Sequence, residues 1–366
     1  MGEWKTVQLY DFIQFKNGKK RPTGTGNIPV YGGNGILDYT DTVNQENSVI
    51  IGRVGAYCGS VYYEPGQHWV SDNAISAVSR NNSDIVYDYY LLKNLNLNHR
   101  HIGTSQPLLT QEILNSIVVE LPSISEQIEI GRTLQVLDNK IANNNAVNHH
   151  LEQMAQAIFR SWFVNFEPWD GEMPDNWREG ILSNIANVTM GQSPDGSSYN
   201  EDGIGTVFYQ GRAEFGARFP MRRLFTTQPN RMAAKGDVLV SVRAPVGDLN
   251  VAFEPCCLGR GLAGIQSKCG CQSFILYTMF TMKQQLDMFN GEGTVFGSIN
   301  KNNMANLSIL IPTDEIIRQF EELVCPMDKA IEANYAESCN LQAARDSLLP
   351  RLMSGELSVS DIDHDK

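Results

Sequence analysis

The residues of this chain best suited to chemistry are cationic side chains set beside glycines and aromatics, a combination that fits a polyanion. Lys16, Lys19, Lys20 and Arg21 flank Gly18, and farther on Arg212, Arg218, Arg222, Arg223 and Arg231 share a stretch with Phe215, Phe219 and Phe225. Arginine donates bidentately to guanine edges and to phosphate, whereas lysine mostly neutralises phosphate. The competing reading of each residue is a solvated charged loop. Arg53 and Arg243 each follow a β-rich run and precede a glycine-containing turn. Strand-end loops of that kind suit contact with a nucleic-acid groove. Two polar loops match each other, Gly103-Thr104-Ser105-Gln106 and Gly293-Thr294-Val295-Phe296-Gly297-Ser298. Thr104, Ser105, Gln106, Thr294 and Ser298 there offer hydroxyls and an amide to bases or backbone; the alternative is that they cap the next element.

Signatures of catalysis are missing from the sequence. There is no G-x-x-x-x-G-K-[ST] phosphate loop, no H-E-x-x-H, no G-x-S-x-G, and no H-x-E followed by C-x-x-C. No Pro-Pro dipeptide occurs, which removes the Asp/Asn-Pro-Pro-aromatic motif of amino-methyltransferases. The expectation is a binding protein with no catalytic residue. Of the seven cysteines, Cys256, Cys257, Cys269 and Cys271 cluster, but not in the paired C-x-x-C spacing of a zinc ribbon. They read as packed or free thiols, with no metal expected, against the alternative of a zinc site. An odd cysteine count and an opening without a basic-then-apolar layout point to a cytoplasmic protein. No apolar run approaches the roughly 18 residues of a membrane span.

The net charge of −12 argues against a partner of the same sign until it is divided along the chain. Residues 1–122 carry 9 basic and 11 acidic side chains, and residues 171–312 balance at 12 and 12. Residues 313–366 carry 5 and 12, so most of the excess acid lies outside the two segments that hold the basic clusters. Local field, rather than total charge, governs phosphate binding.

The elements that must position these residues come as an internal repeat. Trp4, Leu9 and Gly18 recur with identical spacing as Trp177, Leu182 and Gly191. Glu64-Pro65 recurs as Glu254-Pro255 and Gly103-Thr104 as Gly293-Thr294, and the offset of 190 then holds for Pro122/Pro312, Asp138/Asp328, Ile141/Ile331 and Leu151/Leu341. Each copy is a globular segment followed by a helical one. β-rich runs such as Ser48–Ile51 and Asp237–Ser241 alternate with Gly- and Asn-rich turns, and helices are expected over Tyr87–Leu97 and Phe274–Phe289.

The helical segments follow a 4-3 alternation. Its seam runs Ile130, Leu134, Leu137, Ile141, Asn144, Asn148, Leu151, Ala155, Ile158, Trp162 in the first copy, and Phe320, Val324, Met327, Ile331, Asn334, Ser338, Leu341, Arg345, Leu348, Leu352 in the second. Asn144 and Asn334 occupy the same seam position near mid-helix, where an antiparallel pair would meet and where polar groups penalise a shifted register. Two amphipathic helices on separate domains are the alternative. Pro326 predicts a kink, or a break with the main helix starting there. The expected fold class is α+β: two tandem-repeat globular α/β domains separated by a long antiparallel two-helix coiled coil, pseudo-twofold symmetric. The expected segments are 1–122, 123–170, 171–312 and 313–366.

The whole arrangement resembles the specificity subunits of type I restriction-modification enzymes. Ala157-Ile158-Phe159-Arg160-Ser161-Trp162-Phe163-Val164-Asn165-Phe166-Glu167-Pro168 is similar to the family's link from first helix to second recognition domain. Leu348-Leu349-Pro350-Arg351-Leu352-Met353-Ser354-Gly355-Glu356-Leu357 is similar to the end of its second helix, and Trp4–Gly18 and Trp177–Pro194 to its domain openings. Glu126-Gln127 after Pro122 fits the pattern, whereas Ile316-Ile317 after Pro312 departs from it.

The resemblance implies that residues 1–122 and 171–312 are target recognition domains, each reading half of a split double-stranded DNA site. Residues 123–170 and 313–366 would be conserved helical regions acting as a ruler. A 33-residue seam at 1.5 Å per residue gives about 50 Å, or roughly one to one and a half turns of DNA. Methylation would belong to two modification (methyltransferase) subunits docked near the helices, with Trp162, Phe163 and Phe166 as docking candidates or as packing against the second domain. Cleavage and translocation would belong to restriction subunits. S-adenosylmethionine, ATP and Mg would sit on those partners, with no cofactor on this chain. The alternatives are a specificity subunit of a related type II-like or orphan methyltransferase system, and a stand-alone nuclease.

Overall fold

The computed structural model describes residues 4–80, 83–103, 106–291 and 297–362. They form two compact units. Unit 1 comprises residues 1–144 and 337–366, and unit 2 comprises residues 145–336. Thr104, Ser105 and Thr294 lie outside the described residues.

The first repeat runs β1 (Lys5–Gln8), α1 (Leu9–Phe12), β2 (Ile13–Asn17), β3 (Ile28–Gly32), β4 (Gly35–Thr40), β5 (Gln45–Gly52), β6 (Val61–Val70), β7 (Ala74–Ser79), α2 (Ile85–Asn94), α3 (Gln111–Asn115), β8 (Val118–Leu121) and α4 (Ile124–Phe163). The second runs β9 (Arg178–Ile181), α5 (Leu182–Ile185), β10 (Ala186–Met190), β11 (Tyr199–Asn200), β12 (Thr206–Tyr209), β13 (Phe225–Thr226), β14 (Met232–Ala233), β15 (Val238–Ser241), β16 (Leu249–Val251), β17 (Cys256–Leu258), β18 (Leu262–Ser267), α6 (Gln272–Thr281), α7 (Lys283–Asp287), α8 (Lys301–Ala305), β19 (Ser308–Ile311), α9 (Asp314–Met353) and α10 (Val359–Ile362).

Unit 1 is built on a six-stranded sheet ordered β2-β7-β5-β6-β3-β4. All its pairs are antiparallel except β3 with β6. In unit 2 the equivalent region is divided into a four-stranded sheet, β10-β18-β15-β16, and a five-stranded one, β11-β13-β12-β17-β14. The first and last strands of each globular segment pair in the same register: Lys5 with Leu121 and Arg178 with Ile311. That pairing closes the segment immediately before its long helix begins.

The long helices carry the 4-3 pattern through their full length. No residue of either seam is exposed. Unit 1 pairs the first half of α4 with the second half of α9. Ile130, Leu134, Leu349, Leu352 and Met353 share its apolar core, and Asn144 donates to Ser338 (3.3 Å) and Glu337 (2.8 Å). Unit 2 pairs the second half of α4 with the first half of α9. There Asn334 donates to Asn148 (2.8 Å), and Asn148 to the Ile331 carbonyl (3.2 Å). The polar seam positions thus hydrogen-bond across the helix pair inside each unit. The partner positions Ser338 and Asn148 are themselves equivalent in the repeat.

Of the two outcomes expected at Pro326, the break does not occur: α9 is continuous from Asp314 to Met353. Pro326 and Glu322, whose carbonyl loses its i+4 donor, are both exposed residues, on the face of the helix where a lost hydrogen bond costs least. The departure at Ile316-Ile317 also has a local cause. Gln127 is buried and uses its amide to accept from the Asp84 backbone N–H (3.1 Å) and to donate to the Pro122 carbonyl (3.0 Å). Ile317, its counterpart, is buried among apolar side chains instead.

The globular segments are bolted to the helices at matched points. Tyr90 of α2 donates to Asp138 (2.7 Å), and Tyr277 of α6 donates to Asp328 (2.8 Å). Each aspartate also pairs with an arginine, Arg345 in unit 1 and Arg218 in unit 2. The N-terminus of α2 is capped by its own Asp84, which accepts from Tyr87 N–H (2.9 Å). That of α6 is served from α9, where Glu321 accepts from the N–H groups of Ser273 and Phe274. Glu321 stands where α4 has Gly131, whose small size lets α4 approach Tyr87 and Asp84 closely.

Unit 1 holds one buried acid with no counterpart. Asp88 on α2 accepts from Ser79 and Ser83, and burial pushes its carboxyl up to about 7, with the two hydroxyls opposing. The unfolded value is near 3.9. Its contribution to stability is therefore complete below about pH 4 and is lost as pH rises toward 7. Asp88→Asn, neutral throughout, should be more stable than the parent at pH 8, on the order of 1–3 kcal/mol. The advantage should shrink toward pH 5. Melting curves at both values check this; a pH-independent difference would contradict it.

Candidate nucleic-acid interface

In each unit several of the predicted residues converge where three features meet: the exit of the first sheet strand, the end of the central strand, and the turn into its neighbour. In unit 1, Gly18 and Lys19 at the β2 exit donate backbone N–H groups to Ala74 and Val70, on either side of the β6–β7 turn. In unit 2, Gly191 and Gln192 make the same bonds to Leu262 and Leu258, flanking the β17–β18 turn. The glycines are dictated by this approach. A Cβ on Gly18 would lie 2.0 Å from the Ser71 carbonyl oxygen, and one on Gly191 would lie 2.1 Å from that of Gly259. These are backbone atoms that cannot swing aside.

The end of the central strand brings in the matched polar loops. In unit 2, Arg243 forms an antiparallel bridge with Ser298, and Ala244 N–H donates to the Gly297 carbonyl. In unit 1, Val54 bridges to Leu108, and Gly55 N–H donates to the Pro107 carbonyl, one residue past Gln106. These bonds correct a sequence equivalence. Arg53 takes its N–H partner from the turn residue Asn73, as Val242 does from Gly261. Arg53 is therefore the counterpart of Val242, and Arg243 that of Val54. A slip of one residue in extended chain turns a side chain to the opposite face. Arg243 is accordingly exposed, whereas Arg53 is half-buried with its Nε enclosed and without a hydrogen-bond partner.

Lys16, Lys19, Lys20, Arg21 and Gln106 are all exposed in unit 1, with Arg21 paired to Asp38. The arginines of unit 2 divide into three kinds. Arg218 is buried, bonded to Glu152 (3.1 Å) and Asp328, and lies over the Tyr277 ring. It fastens its loop to both long helices of unit 2 and does not belong to the exposed surface. Phe219 beside it stacks on Tyr335 of α9 (4.7 Å between centroids). Arg212, Arg222 and Arg223 are exposed but engaged by Asp248 (3.0 Å), Glu254 and the buried Glu214 (2.7 Å). Arg243 and Arg260 have no ion-pair partner among the described residues. Both line an open groove of about 420 Å³, with Ser193, Gln210, Arg212 and Arg223.

Arg260, Ser193 and Gln210 are absent from the sequence-based set. A signal for Arg260 does exist in its glycine flanks. Gly259 and Gly261 pack on the Gln210 backbone so closely that a Cβ would fall 2.7 and 2.6 Å from its Cα and carbonyl oxygen. Ser193 and Gln210 sit in ordinary loop sequence, and only the fold brings them together.

The aromatic stretch at the end of α4 is used inside unit 2. Phe163 is buried against Trp177 (5.6 Å), and Trp162 and Phe166 are half-buried against Trp169 and Trp177. Phe163 thus packs rather than presenting a docking surface. Cys256 and Cys257 are buried in β17, and burial pushes the Cys256 thiol up to about 12. Among the described residues no three His, Cys, Asp or Glu side chains gather as metal ligands, and no helix is long and apolar enough to cross a membrane.

The sequence matches the model of the type I restriction modification DNA specificity domain twice, over residues 1–153 and 174–334. The chain belongs to this family. Among its relatives is the specificity subunit of the MjaX type I restriction enzyme of Methanocaldococcus jannaschii, 31% identical over 355 residues that cover 88% of this chain and 83% of that one. The HindI specificity subunit of Haemophilus influenzae is 23% identical, covering 69% and 71%. The fold matches that of a type I restriction-modification S subunit from M. genitalium at a TM-score of 0.69, with 18% identity and 96% of each chain covered. Specificity domains of this family recognise DNA and are not themselves catalytic. The duplicated match and the duplicated loop cluster agree: two DNA specificity domains, one per repeat.

If Gly18 and Gly191 are there for backbone approach, Gly18→Ala and Gly191→Ala should each lower stability by about 1–3 kcal/mol through overpacking. Gly191→Ala should also weaken DNA binding by displacing the turn that carries Arg260. Denaturant titration and binding assays read both; an Ala variant with unchanged midpoint would show that the turn yields freely.

Proposed function

We propose that this chain reads a bipartite double-stranded DNA site, one half with each unit, and that the paired helices set the spacing of the halves. The observation that supports this reading is the recurrence of one loop cluster in both units, rich in exposed cationic, amide and hydroxyl side chains. Lys16, Lys19, Lys20 and Arg21 serve the phosphates of the first half-site. Arg53 and Gln106 border the same cluster. In the second, Arg212, Arg222 and Arg223 exchange carboxylate partners for phosphate, and Arg243 and Ser298 lie nearer the bases. Arg218 takes no part in DNA binding.

The chain recruits two modification subunits and, through the assembled enzyme, restriction subunits. S-adenosylmethionine, ATP and Mg belong to those partners, and this chain binds none of them. The relative placement of two half-sites about one helical turn apart follows from reading the same groove face.

Methylome sequencing of cells with and without this gene tests the proposal. One bipartite motif should disappear with the gene, and replacing residues 1–122 by another domain should change one half of it. Loss of an undivided motif, or change in both halves, would overturn it. Lys19→Glu with Lys20→Glu and Arg21→Glu should weaken DNA binding by the assembled complex without altering its preference. It should also flatten the salt dependence, the log–log slope falling by about one for each phosphate left without its cation. Unchanged affinity would remove this cluster from the interface.

A further inference from the structure

The turn between the last two sheet strands is the same backbone in both units but carries opposite charge. Leu258, Gly259, Arg260, Gly261 and Leu262 correspond to Val70, Ser71, Asp72, Asn73 and Ala74. The matching bonds are Leu262 N–H to the Gly259 carbonyl (3.0 Å) and Ala74 N–H to the Ser71 carbonyl (3.0 Å). The facing wall is transposed as well. Lys19, Lys20 and Arg21 at the β2 exit correspond to Gln192, Ser193 and Pro194 at the β10 exit. Unit 1 thus places cations on the strand exit and an acid on the turn. Unit 2 places neutral polar groups on the strand exit and an arginine on the turn.

The turn is also a firmly held platform. Around Arg260, Gly259 N–H donates to Tyr209, Gly261 N–H to Gln210, Val242 N–H to Gly261, and the Arg260 N–H to Ser193 Oγ. Arg260, Asp72 and Asn73 nonetheless have exposed side chains, and neither charged one has an ion-pair partner among the described residues. A rigid backbone with a projecting, unneutralised side chain is the arrangement that discriminates between bases. Contacts that only position phosphate tolerate mobile, exchangeable partners such as Arg222 with Glu254.

The geometry points to this turn as the base-reading element of both units, with Arg260 donating to guanine in one half-site and Asp72 accepting from a base amino group in the other. Guanine offers O6 and N7 to a guanidinium fork, and Ser193 and Gln210 in the same groove add a hydroxyl and an amide beside it. A carboxylate at Asp72 selects the cytosine N4 or adenine N6 amino group, with the adjoining lysines neutralising the phosphates that would otherwise repel it. The transposition makes the two halves chemically unlike, so the target is not a palindrome.

This inference rests on the DNA-reading role proposed above. The test uses the chain assembled with its modification subunits and reads the methylated motif by sequencing for the parent, Arg260→Asp and Asp72→Arg. Arg260→Asp should abolish the preference for G·C at one position of one half, and Asp72→Arg should alter one position of the other half. Arg260→Lys, which keeps the charge and loses the fork, should lower the preference at that position by about tenfold or more in binding to a half-site library. It also guards against a variant that fails to fold. A parent complex without a bipartite motif would sink the underlying reading and this inference with it. A bipartite motif that Arg260→Lys and Asp72→Arg leave unaltered, or lose evenly in both halves, would overturn this inference alone.

Discussion

Asn144 donating to Ser338, and Asn334 donating to Asn148, are the contacts on which the architecture turns. Each lies at a seam position of an antiparallel helix pair whose neighbouring seam positions are mostly apolar. Any other register sets these amides against leucine and isoleucine, at the cost of a buried unsatisfied polar group. Each compact unit is completed by half of a helix that begins or ends in the other repeat. Neither globular segment has its whole core within its own continuous sequence, because the helix half that covers it arrives from a distance. The seam is thus a condition for the units to exist at all.

From that seam the reading surfaces are held in two steps. Asp138 and Asp328 accept from Tyr90 and Tyr277, so the helix behind each sheet is tied to the helices at the same seam level. The sheet then places the β6–β7 and β17–β18 turns largely by backbone hydrogen bonds, with glycine where two strands' carbonyls crowd. The arginine partner of each aspartate comes from a different part of the chain, Arg345 from a helix and Arg218 from a loop. Equivalent half-buried carboxylates therefore demand a cation, and the two repeats supply it in two ways. The demand itself is electrostatic: a carboxylate in a half-buried site with one neutral donor is poorly compensated.

The surface is free to diverge because so little of its placement depends on side chains. The β6–β7 and β17–β18 turns keep their backbone bonds while Asp72 and Arg260 exchange sign. The same scaffold can accept a new loop chemistry without altering the core that positions it, and a recognition protein requires that separation.

Much of the scaffold was legible in the sequence. The repeat follows from matched residues at a constant offset, and the seam and the two β-rich runs from periodicity, since 4-3 spacing and alternation record which face is buried; the strand pair that closes each globular segment appears only in the structure. The break that Pro326 allowed does not occur, because a proline's cost depends on its surroundings, and sequence does not say which side of the helix is wet. Tertiary structure alone decided the one-residue offset between Arg53 and Arg243, the burial of Arg218, and the meeting of Arg260 with Ser193 and Gln210. Sequence by itself says which cations exist. Only the fold determines which of them face a carboxylate, which are buried, and which remain exposed, because that depends on contacts between residues far apart along the chain.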